Sequence, residues 1–252
     1  MDLITILTCY RRPYNLQDQL KAVREQTVKS DQIWLWVNHH EDNQGMDFSD
    51  YGFDVILRSS VNFRCHGRFT AGLLAKSKYL AYYDDDTIPG VRWIENCRLT
   101  SQFLKENHGI TPTILGTAGV LLHSRRYMNS SRVGWPSKNR TIVEVDLVGH
   151  AWFFEQEVMK YLFYEDPEGF EIGDDIQFPY LAKKHGNVRT FVPVHPDEDR
   201  SLWGSLRAEE LGVDTKGLSV GVSISHQDFF EARDRAVSRG VDGGWKTILG
   251  VK

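Results

Sequence analysis

The sequence has few cysteines, and their scarcity excludes two kinds of stabilised fold. Its 252 residues contain three, Cys9, Cys65 and Cys97, scattered along the chain. An odd number at irregular intervals does not predict a disulfide framework, and no pair has the Cys-x-x-Cys spacing that is typical of a zinc site. A reducing, cytoplasmic environment is therefore expected.

Long hydrophobic runs and an excess of positive charge are also missing. No apolar stretch approaches the ~20 residues that a membrane span needs, and the N-terminus lacks the basic region and cleavage site of a signal peptide. The net charge is -4, whereas a protein that binds nucleic acid usually has a basic face. We therefore expect no integral membrane span and no nucleic-acid partner.

Short apolar runs alternate with segments of helical spacing in the first half of the chain. The run Leu3–Cys9 is rich in β-branched residues and predicts a buried strand. Leu16, Leu20 and Val23 then recur at helical spacing. This alternation predicts an α/β fold with a mostly parallel central sheet and helices on both of its faces. The predicted strands are 3–9, 32–37, 54–59 and 79–83, and the predicted helices are 15–27, 67–77 and 91–107.

The second half of the chain alternates less regularly. The polar segment 129–141 contains Gly134-Trp135-Pro136 and predicts a flexible excursion. The segment 143–154 predicts a strand that leads into a turn. The other predicted strands are 113–118, 120–122 and 190–194, and the predicted helices are 174–185 and 227–238.

Three adjacent aspartates follow the predicted strand 79–83. Asp84, Asp85 and Asp86 crowd three carboxylates together, which is costly unless a cation neutralises them. Mg²⁺ and Mn²⁺ prefer carboxylate, water and phosphate oxygens, and ligands of open α/β sheets lie beyond the carboxyl ends of the strands. The triplet therefore predicts a site for a divalent cation and a phosphate-bearing ligand. The alternative is an Asx-rich turn that only ends the strand.

Four segments of the chain occur in an order typical of one enzyme family. They are LITILTCYRRPYNLQDQLKAVREQT, QIWLWVNHHED, NFRCHGRFTAGLLAKSKYLAYYDDD and FEIGDDIQFPYLAKKHG. With them the chain resembles glycosyltransferases of the GT-A fold, mostly those of family 2 and more faintly the exostosin-type transferase domain. The resemblance implies a catalytic domain at 1–196, with a nucleotide-binding half at about 1–90 and an acceptor-binding half at about 91–196. Residues 197–252 would form a C-terminal lid or tail packed on the same domain.

The resemblance assigns the ends of the first two strands to the nucleotide. Thr8, Tyr10 and Arg12 would line the nucleobase pocket. There Tyr10 can stack on a base and Arg12 can pair with phosphate. Asn38 occupies a position that usually contacts the base or the ribose, although the family more often has Asp at this point.

The resemblance also distributes roles around the aspartate triplet. Arg68 stands where the family often has a basic residue that contacts the nucleotide, and Arg64 is the competing candidate. Asp84 would contact the ribose and Asp86 the metal, an Mn²⁺ or Mg²⁺ ion. Asp85 would contact either the metal or the donor sugar, or would support its neighbours.

Two further sites are implied later in the chain. Asp174 and Asp175 begin a predicted helix, where capping is one role open to Asp174. Asp175 is the candidate general base, which would take the proton of the acceptor hydroxyl in an inverting transfer; in a retaining enzyme its role would differ. His195 is a candidate third metal ligand, because neutral imidazole binds such ions, and His226 is its rival.

These residues together predict a metal-dependent glycosyltransferase. Its donor would be a nucleotide-diphosphate sugar, with uridine or thymidine diphosphate as the default, and its acceptor a hydroxyl of a glycan or glycoconjugate. A nucleotidyltransferase is one alternative, but it should have a Gly-rich loop after the first strand, where this chain has Cys9-Tyr10-Arg11-Arg12-Pro13. A non-catalytic protein of the same fold that binds carbohydrate or nucleotide is the other alternative.

Overall fold

Within the described part of the chain, nine strands form one sheet and helices pack against it. The computed structural model describes residues 1–169, 172–207 and 226–252, and side chains from Asp228 onward in the last range. The strand order is β3-β2-β1-β4-β8-β5-β9-β7, with β6 paired to β5. The strands are β1 Leu3–Cys9, β2 Gln32–Val37, β3 Val55–Arg58, β4 Tyr79–Tyr83, β5 Thr113–Leu122, β6 Ser130–Gly134, β7 Val143–Val145, β8 Leu147–Glu155 and β9 Arg189–Val192. The α-helices are α1 Leu16–Arg24, α2 Gly67–Leu74, α3 Trp93–His108, α4 Asp174–Gly186 and α5 His226–Asp242.

The first four strands form the parallel part of the sheet. β1 pairs in parallel with β2 and β4, and β2 pairs in parallel with β3. Every residue of β1 is buried, which explains why this strand is a continuous apolar run and not an alternating one. Because these strands run in one direction, the carboxyl ends of β1, β2 and β4 meet at the same edge of the sheet, and the predicted strands of this half are confirmed.

The remaining strands make the sheet mixed. β8 lies antiparallel between β4 and β5, and β7 is antiparallel to β9, whereas β5 and β9 are parallel. Parallel pairing therefore dominates only the half in which strands and helices alternate in the sequence. A strand that enters the sheet without a crossover helix can pair antiparallel to its neighbour, as β8 does on both of its sides.

The polar segment predicted as a flexible excursion contains a strand, so this prediction was wrong. β6 pairs antiparallel with β5, from Ala118 opposite Gly134 to Leu122 opposite Ser130. Its hydrogen bonds come from the backbone, so the pairing does not require an apolar run. The middle of β6, at Ser131 and Arg132, is exposed, which accounts for a polar sequence at the side of an antiparallel sheet.

Two other boundaries differ from the predicted ones. The predicted strands 113–118 and 120–122 form the single strand β5, which carries an irregularity against β8 between Gly116 and Ala118. The predicted segment 143–154 divides into β7 and β8 at Asp146. The Asp146 carboxylate accepts hydrogen bonds from the amides of Leu122 and Ile248, at 2.8 and 2.7 Å, and thereby ties this break to β5 and to the C-terminus.

The sheet separates two hydrophobic layers. Tyr82 and Tyr83 are adjacent in β4 and point to opposite faces. Tyr82 packs with Phe69 of α2, while Tyr83 belongs to the layer that includes Trp93 of α3. Each fully buried side chain of this size contributes roughly 1.5–3 kcal/mol to folding. These layers hold the carboxyl ends of the strands at one edge.

The C-terminal helix packs on the second half of the sheet. Val237 of α5 and Trp245 join Ile176 and Tyr180 of α4 in one buried cluster, together with Tyr127. Residues 208–225 of the predicted lid lie outside the described residues. None of the helices in the described ranges combines the length and the apolar character that crossing a bilayer requires.

Candidate functional site

One cavity of about 460 Å³ opens at the carboxyl ends of β1, β2 and β4. This is the position where open α/β sheets bind their ligands. The structure brings to it every predicted site residue except His195, although these residues come from four distant parts of the sequence. Those lining the cavity are Thr8, Tyr10, Arg12, Asn38, Arg68, Asp84, Asp85, Asp86, Asp174 and Asp175, and the competing candidate Arg64 lines it as well.

Hydrogen bonds to its backbone hold the aspartate triplet in place. The Asp84 amide donates to the carbonyl oxygen of His150 at 2.9 Å, which joins the end of β4 to β8. The side-chain amides of Asn15 and Gln19, at the start of α1, donate to the carbonyl oxygens of Asp85 and Asp84 at 3.0 and 2.5 Å. These hydrogen bonds fix the loop, so the direction of the three carboxylates is set before any ligand binds.

Arg12 forms ion pairs with two members of the triplet. Its Nη1 lies 2.8 Å from Asp85 Oδ1 and 3.2 Å from Asp86 Oδ2. Burial raises the pKa of Asp85, and Arg12 only partly offsets this effect. Burial acts on Asp86 in the same direction, but hydrogen bonding and charge from His150 and Arg12 outweigh it and lower the pKa of Asp86. Asp86 is therefore the member of this pair that more readily stays ionised.

Arg68 connects the triplet to the start of α4. Its guanidinium forms ion pairs with Asp84 and with Asp174, the second at 2.6 Å. It also lies 4.6 Å from the ring centroid of Trp152, whose side chain is buried in the core. Burial disfavours the charged carboxylate of Asp174, but Arg68 outweighs it and lowers the pKa of Asp174. Gly173, with φ +100°, precedes α4, and no side-chain hydrogen bond caps the helix at this residue. The carboxylate of Asp174 forms an ion pair with Arg68.

Three side chains form a group that fits a divalent cation. Asp84, Asp86 and His150 each present one ligand atom, and these atoms lie within 4.8 Å of one another. Carboxylate oxygens and an imidazole nitrogen are a suitable donor set for Mn²⁺, and carboxylates also suit Mg²⁺. His150 has φ +66°, an uncommon conformation for a residue with a side chain, and its ring lies 4.2 Å from that of Trp135, centroid to centroid.

The structure does not place His195 in this group. Its ring is fully buried, and Nδ1 donates to the Pro193 carbonyl at 2.8 Å while Nε2 accepts from the Thr117 hydroxyl at 2.8 Å. Trp93 and Trp203 pack on it, with ring centroids at 5.5 and 5.8 Å. Because both ring nitrogens are engaged and burial lowers the pKa of His195 to about 4, this residue is a neutral core histidine. The side chain of His226, the rival candidate, lies outside the described residues.

The other end of the cavity has the character expected of a nucleobase pocket. Tyr10 accepts a hydrogen bond from Asn62 at its hydroxyl, at 2.8 Å, and its ring lies edge-on to His40 at 4.9 Å. Asn38 donates to Asn62 Oδ1 at 2.7 Å. The Thr8 hydroxyl is buried and has no hydrogen-bond partner among the described residues. An amide network and an aromatic ring thus line the wall next to β1 and β2.

Asp175 faces the cavity with an arginine that the sequence did not identify. Arg233 of α5 lies 2.5 Å from Asp175 Oδ2, and its guanidinium lies 3.9 Å from the ring centroid of Tyr127. Asp175 Oδ1 is buried without a hydrogen-bond partner in the described residues. No spacing in the sequence links Arg233 to Asp175, since they come from different helices. His150 was also missed, because only the pairing of β8 with β4 brings it to the triplet.

The comparisons with known proteins identify the fold and not the family. The sequence matches no family model and no curated protein. Solved structures of S. aureus TarS, a GT-A-like glycosyltransferase, match the fold. TarS 1–349 in complex with UDP-GlcNAc matches with a TM-score of 0.52 and 14% identity, over 80% of this chain and 60% of that one. The complex with UDP gives a TM-score of 0.54 and 15% identity, over 78% and 59%.

This chain has a GT-A-like α/β fold. The central sheet flanked by helices that the resemblance implied is thereby confirmed. The match covers 37% of the longer TarS structure and less than two thirds of each TarS 1–349 structure. At 14–15% identity these likenesses describe the fold alone.

Proposed function

We propose that this protein is a glycosyltransferase that moves a sugar from a nucleoside-diphosphate sugar to a hydroxyl group of a glycan or glycoconjugate. One observation carries the proposal: the residues that the sequence assigned to the donor line a single cavity, with the aspartate triplet at one wall. The fold supports it, since structures of TarS, a GT-A-like glycosyltransferase, contain UDP-GlcNAc or UDP. A UDP-linked sugar is therefore the first donor to test, with a TDP-linked sugar second.

The walls of the cavity divide the donor into parts. Tyr10, Asn38 and Thr8 offer an aromatic ring, an amide and an unpaired hydroxyl to the base and ribose. Arg12 and Arg68 carry the positive charge that a diphosphate requires. Both arginines now bind carboxylates, so diphosphate binding would redistribute these ion pairs within the cavity.

A divalent cation would be held by Asp84, Asp86 and His150. When bound, it would offset the negative charge that develops on the departing diphosphate. His150 replaces His195 in this proposal, because His150 lies beside Asp84 and Asp86 and His195 does not. Asp85 does not belong to the group, and it binds Arg12.

Asp175 is the proposed general base. The acceptor hydroxyl would lose its proton to Asp175 as its oxygen bonds to the anomeric carbon of the sugar. The bond from that carbon to the diphosphate breaks, and the nucleoside diphosphate leaves with the electron pair. The Oδ1 of Asp175 has no hydrogen-bond partner among the described residues and belongs to a side chain that lines the cavity, which supports this role. Asp174, bound to Arg68, would hold the start of α4 in position.

A second candidate is a nucleotide-sugar site that works without metal. Its support is that Asp84 and Asp86 already form ion pairs with Arg68 and Arg12, so each carboxylate has a protein cation as its partner. The same site without turnover would be a binding protein of this fold.

Calorimetry with UDP, GDP and TDP tests these possibilities. Each nucleotide is titrated with Mn²⁺ present and again with EDTA. The proposal predicts that one nucleotide binds only with metal and that Asp86→Ala abolishes this binding, while the exposed Asp50→Ala leaves it unchanged. Equal affinity in both conditions favours the metal-independent site. Absence of binding by all three nucleotides contradicts the proposed function.

A further inference from the structure

The charged groups that line the cavity are unevenly paired. Five arginines and five aspartates line it. All five carboxylates bind arginines, so none of them is left as an isolated negative charge. The pairs are Arg12 with Asp85 and Asp86, Arg68 with Asp84 and Asp174, and Arg233 with Asp175.

The two remaining arginines, Arg64 and Arg132, have no carboxylate partner within the ranges that the structure describes. The backbone amide of Arg64 donates to Asn62 Oδ1, and the Asn62 side chain donates to the Tyr10 hydroxyl. Arg64 therefore lies at the nucleobase end. Arg132 lies in β6, opposite Val120 of β5, which also lines the cavity. The five arginines and five aspartates balance in number, but these two arginines lie apart from the carboxylates, one near Asn62 and the other in β6.

The Arg132 side chain is held in a defined position although it is exposed. Its Nη1 donates to the Tyr127 hydroxyl at 2.8 Å, and its guanidinium lies 4.8 Å from the centroid of the same ring. Arg233 lies 3.9 Å from that centroid and binds Asp175. One aromatic ring therefore links Arg132 to the proposed base, and both face the same end of the cavity.

The groups without partners at this end specify what could bind there. Asp175 Oδ1 needs a donor such as a hydroxyl group, and the indole N–H of Trp135 needs an acceptor, since both are buried with no hydrogen-bond partner among the described residues. Trp135 lines the cavity and is 8% exposed. Arg132 has no carboxylate partner among the described residues and suits an anion, because a guanidinium binds carboxylate or phosphate oxygens in a planar, charge-assisted geometry.

We propose that this end of the cavity binds an acceptor saccharide that carries an anionic group, a carboxylate or a phosphate. Arg132 binds the anion, while Asp175 Oδ1 accepts the hydrogen bond of the hydroxyl that is to be glycosylated. The description of this ligand as an acceptor rests on the proposed function, whereas the preference for an anionic saccharide rests on the pairing of charges and is measured by binding alone.

Three monosaccharides that share one ring test the preference: glucose, glucuronate and glucose 6-phosphate. Each is titrated into the protein by calorimetry, with UDP and Mn²⁺ present so that the donor site is occupied, and again without them. The variants are Arg132→Gln and Arg126→Gln. Arg126 is an exposed arginine nearby that does not line the cavity, so its replacement changes the net charge of the protein equally.

Glucuronate, glucose 6-phosphate or both should bind roughly tenfold or more tightly than glucose, as expected for one charge-assisted pair at a partly exposed site. Arg132→Gln should remove this difference and Arg126→Gln should keep it. Tighter binding of glucuronate identifies the anion as a carboxylate, and tighter binding of glucose 6-phosphate identifies it as a phosphate. If both anionic sugars bind no tighter than glucose, or if Arg132→Gln binds them as well as the wild type, the proposal is wrong. UDP binding by the wild-type protein is measured separately. If the wild type does not bind UDP, that result counts against the proposed function alone.

Discussion

Arg233 binds one carboxylate oxygen of Asp175 and leaves the other oxygen without a partner among the described residues. Nη2 lies 2.5 Å from Oδ2, while Oδ1 is buried. A carboxylate held by one oxygen keeps a fixed orientation, and its second oxygen remains available for a proton. The C-terminal helix α5 therefore contributes to the cavity as a positioning element, and this relationship leads to the first two predictions.

Asp175→Asn should abolish transfer without weakening nucleotide binding. An amide of the same shape does not take a proton, and a general base contributes about 10²- to 10⁴-fold to a rate. The measurement is release of nucleoside diphosphate from the donor whose nucleotide binds, with calorimetry for affinity. Asp166→Asn, an exposed aspartate outside the cavity, is the matched control. Turnover by Asp175→Asn at the wild-type rate would show that Asp175 is not the base.

Arg233→Met should destabilise the protein by about 3 kcal/mol, because removing one partner leaves a largely buried carboxylate unpaired. The side chains of Arg233 and Asp175 are 7% and 16% exposed. The double variant with Asp175→Asn should lose less than the sum of the two single changes. Urea unfolding of all four proteins measures this coupling. Additive losses would mean that the ion pair does not stabilise the fold.

His150→Asn should reduce the metal dependence of nucleotide binding. Asn tolerates the left-handed backbone that His150 adopts at φ +66°, so the loop should keep its shape while the imidazole is lost. We expect the Mn²⁺ affinity in the presence of nucleotide to fall by at least about 10- to 100-fold, since losses of this size occur even when a group that only supports a metal ligand is removed.

His195→Gln is the control for this experiment, since His195 is buried away from the carboxylates. Its Mn²⁺ affinity should match that of the wild type. If His195→Gln weakens Mn²⁺ binding and His150→Asn does not, the metal ligand is His195, as the resemblance implied.

The stability of the protein should decrease as the pH falls from about 6.5 to about 4 because of His195. Burial lowers the pKa of this residue from 6.5 to about 4 in the folded protein. Between these values the unfolded chain binds a proton that the folded chain does not, so the free energy of unfolding falls by about 1.4 kcal/mol per pH unit from this group.

The difference between wild type and His195→Gln isolates that contribution. The variant should show a shallower decline in urea unfolding over the same pH range, because glutamine does not titrate. Equal slopes for the two proteins would contradict the prediction. As a second readout, the His195 imidazole resonances of the folded wild type should remain those of the neutral form at pH 5.

Most of the parallel part of the fold was predictable from the sequence. The apolar run of β1 and the helical spacing of Leu16, Leu20 and Val23 place β1 and α1 within a few residues of their observed bounds. Local pattern determines such elements, because a buried parallel strand has a distinctive composition. β6 has no such pattern, since its partner β5 supplies the hydrogen bonds and solvent faces its middle residues.

The site could be predicted only where its residues occur in a local motif. The aspartates 84–86 and the pair Asp174-Asp175 follow recognisable segments, and all five line the cavity. His195 follows a strand in the sequence, which is a suitable position for a metal ligand, but its ring turns into the core between Trp93 and Trp203. A sequence does not reveal which face of a chain a side chain will occupy once distant elements pack.

Local sequence thus determines the strands, the helices and the acidic residues at their ends, because hydrophobic periodicity and turn chemistry act over a few residues. Tertiary structure decides which of the charged groups meet. Arg233 reaches Asp175 because α5 packs on α4, and His150 reaches the aspartates because β8 pairs with β4. Both contacts depend on the packing of elements that are distant in the sequence, which no local motif records.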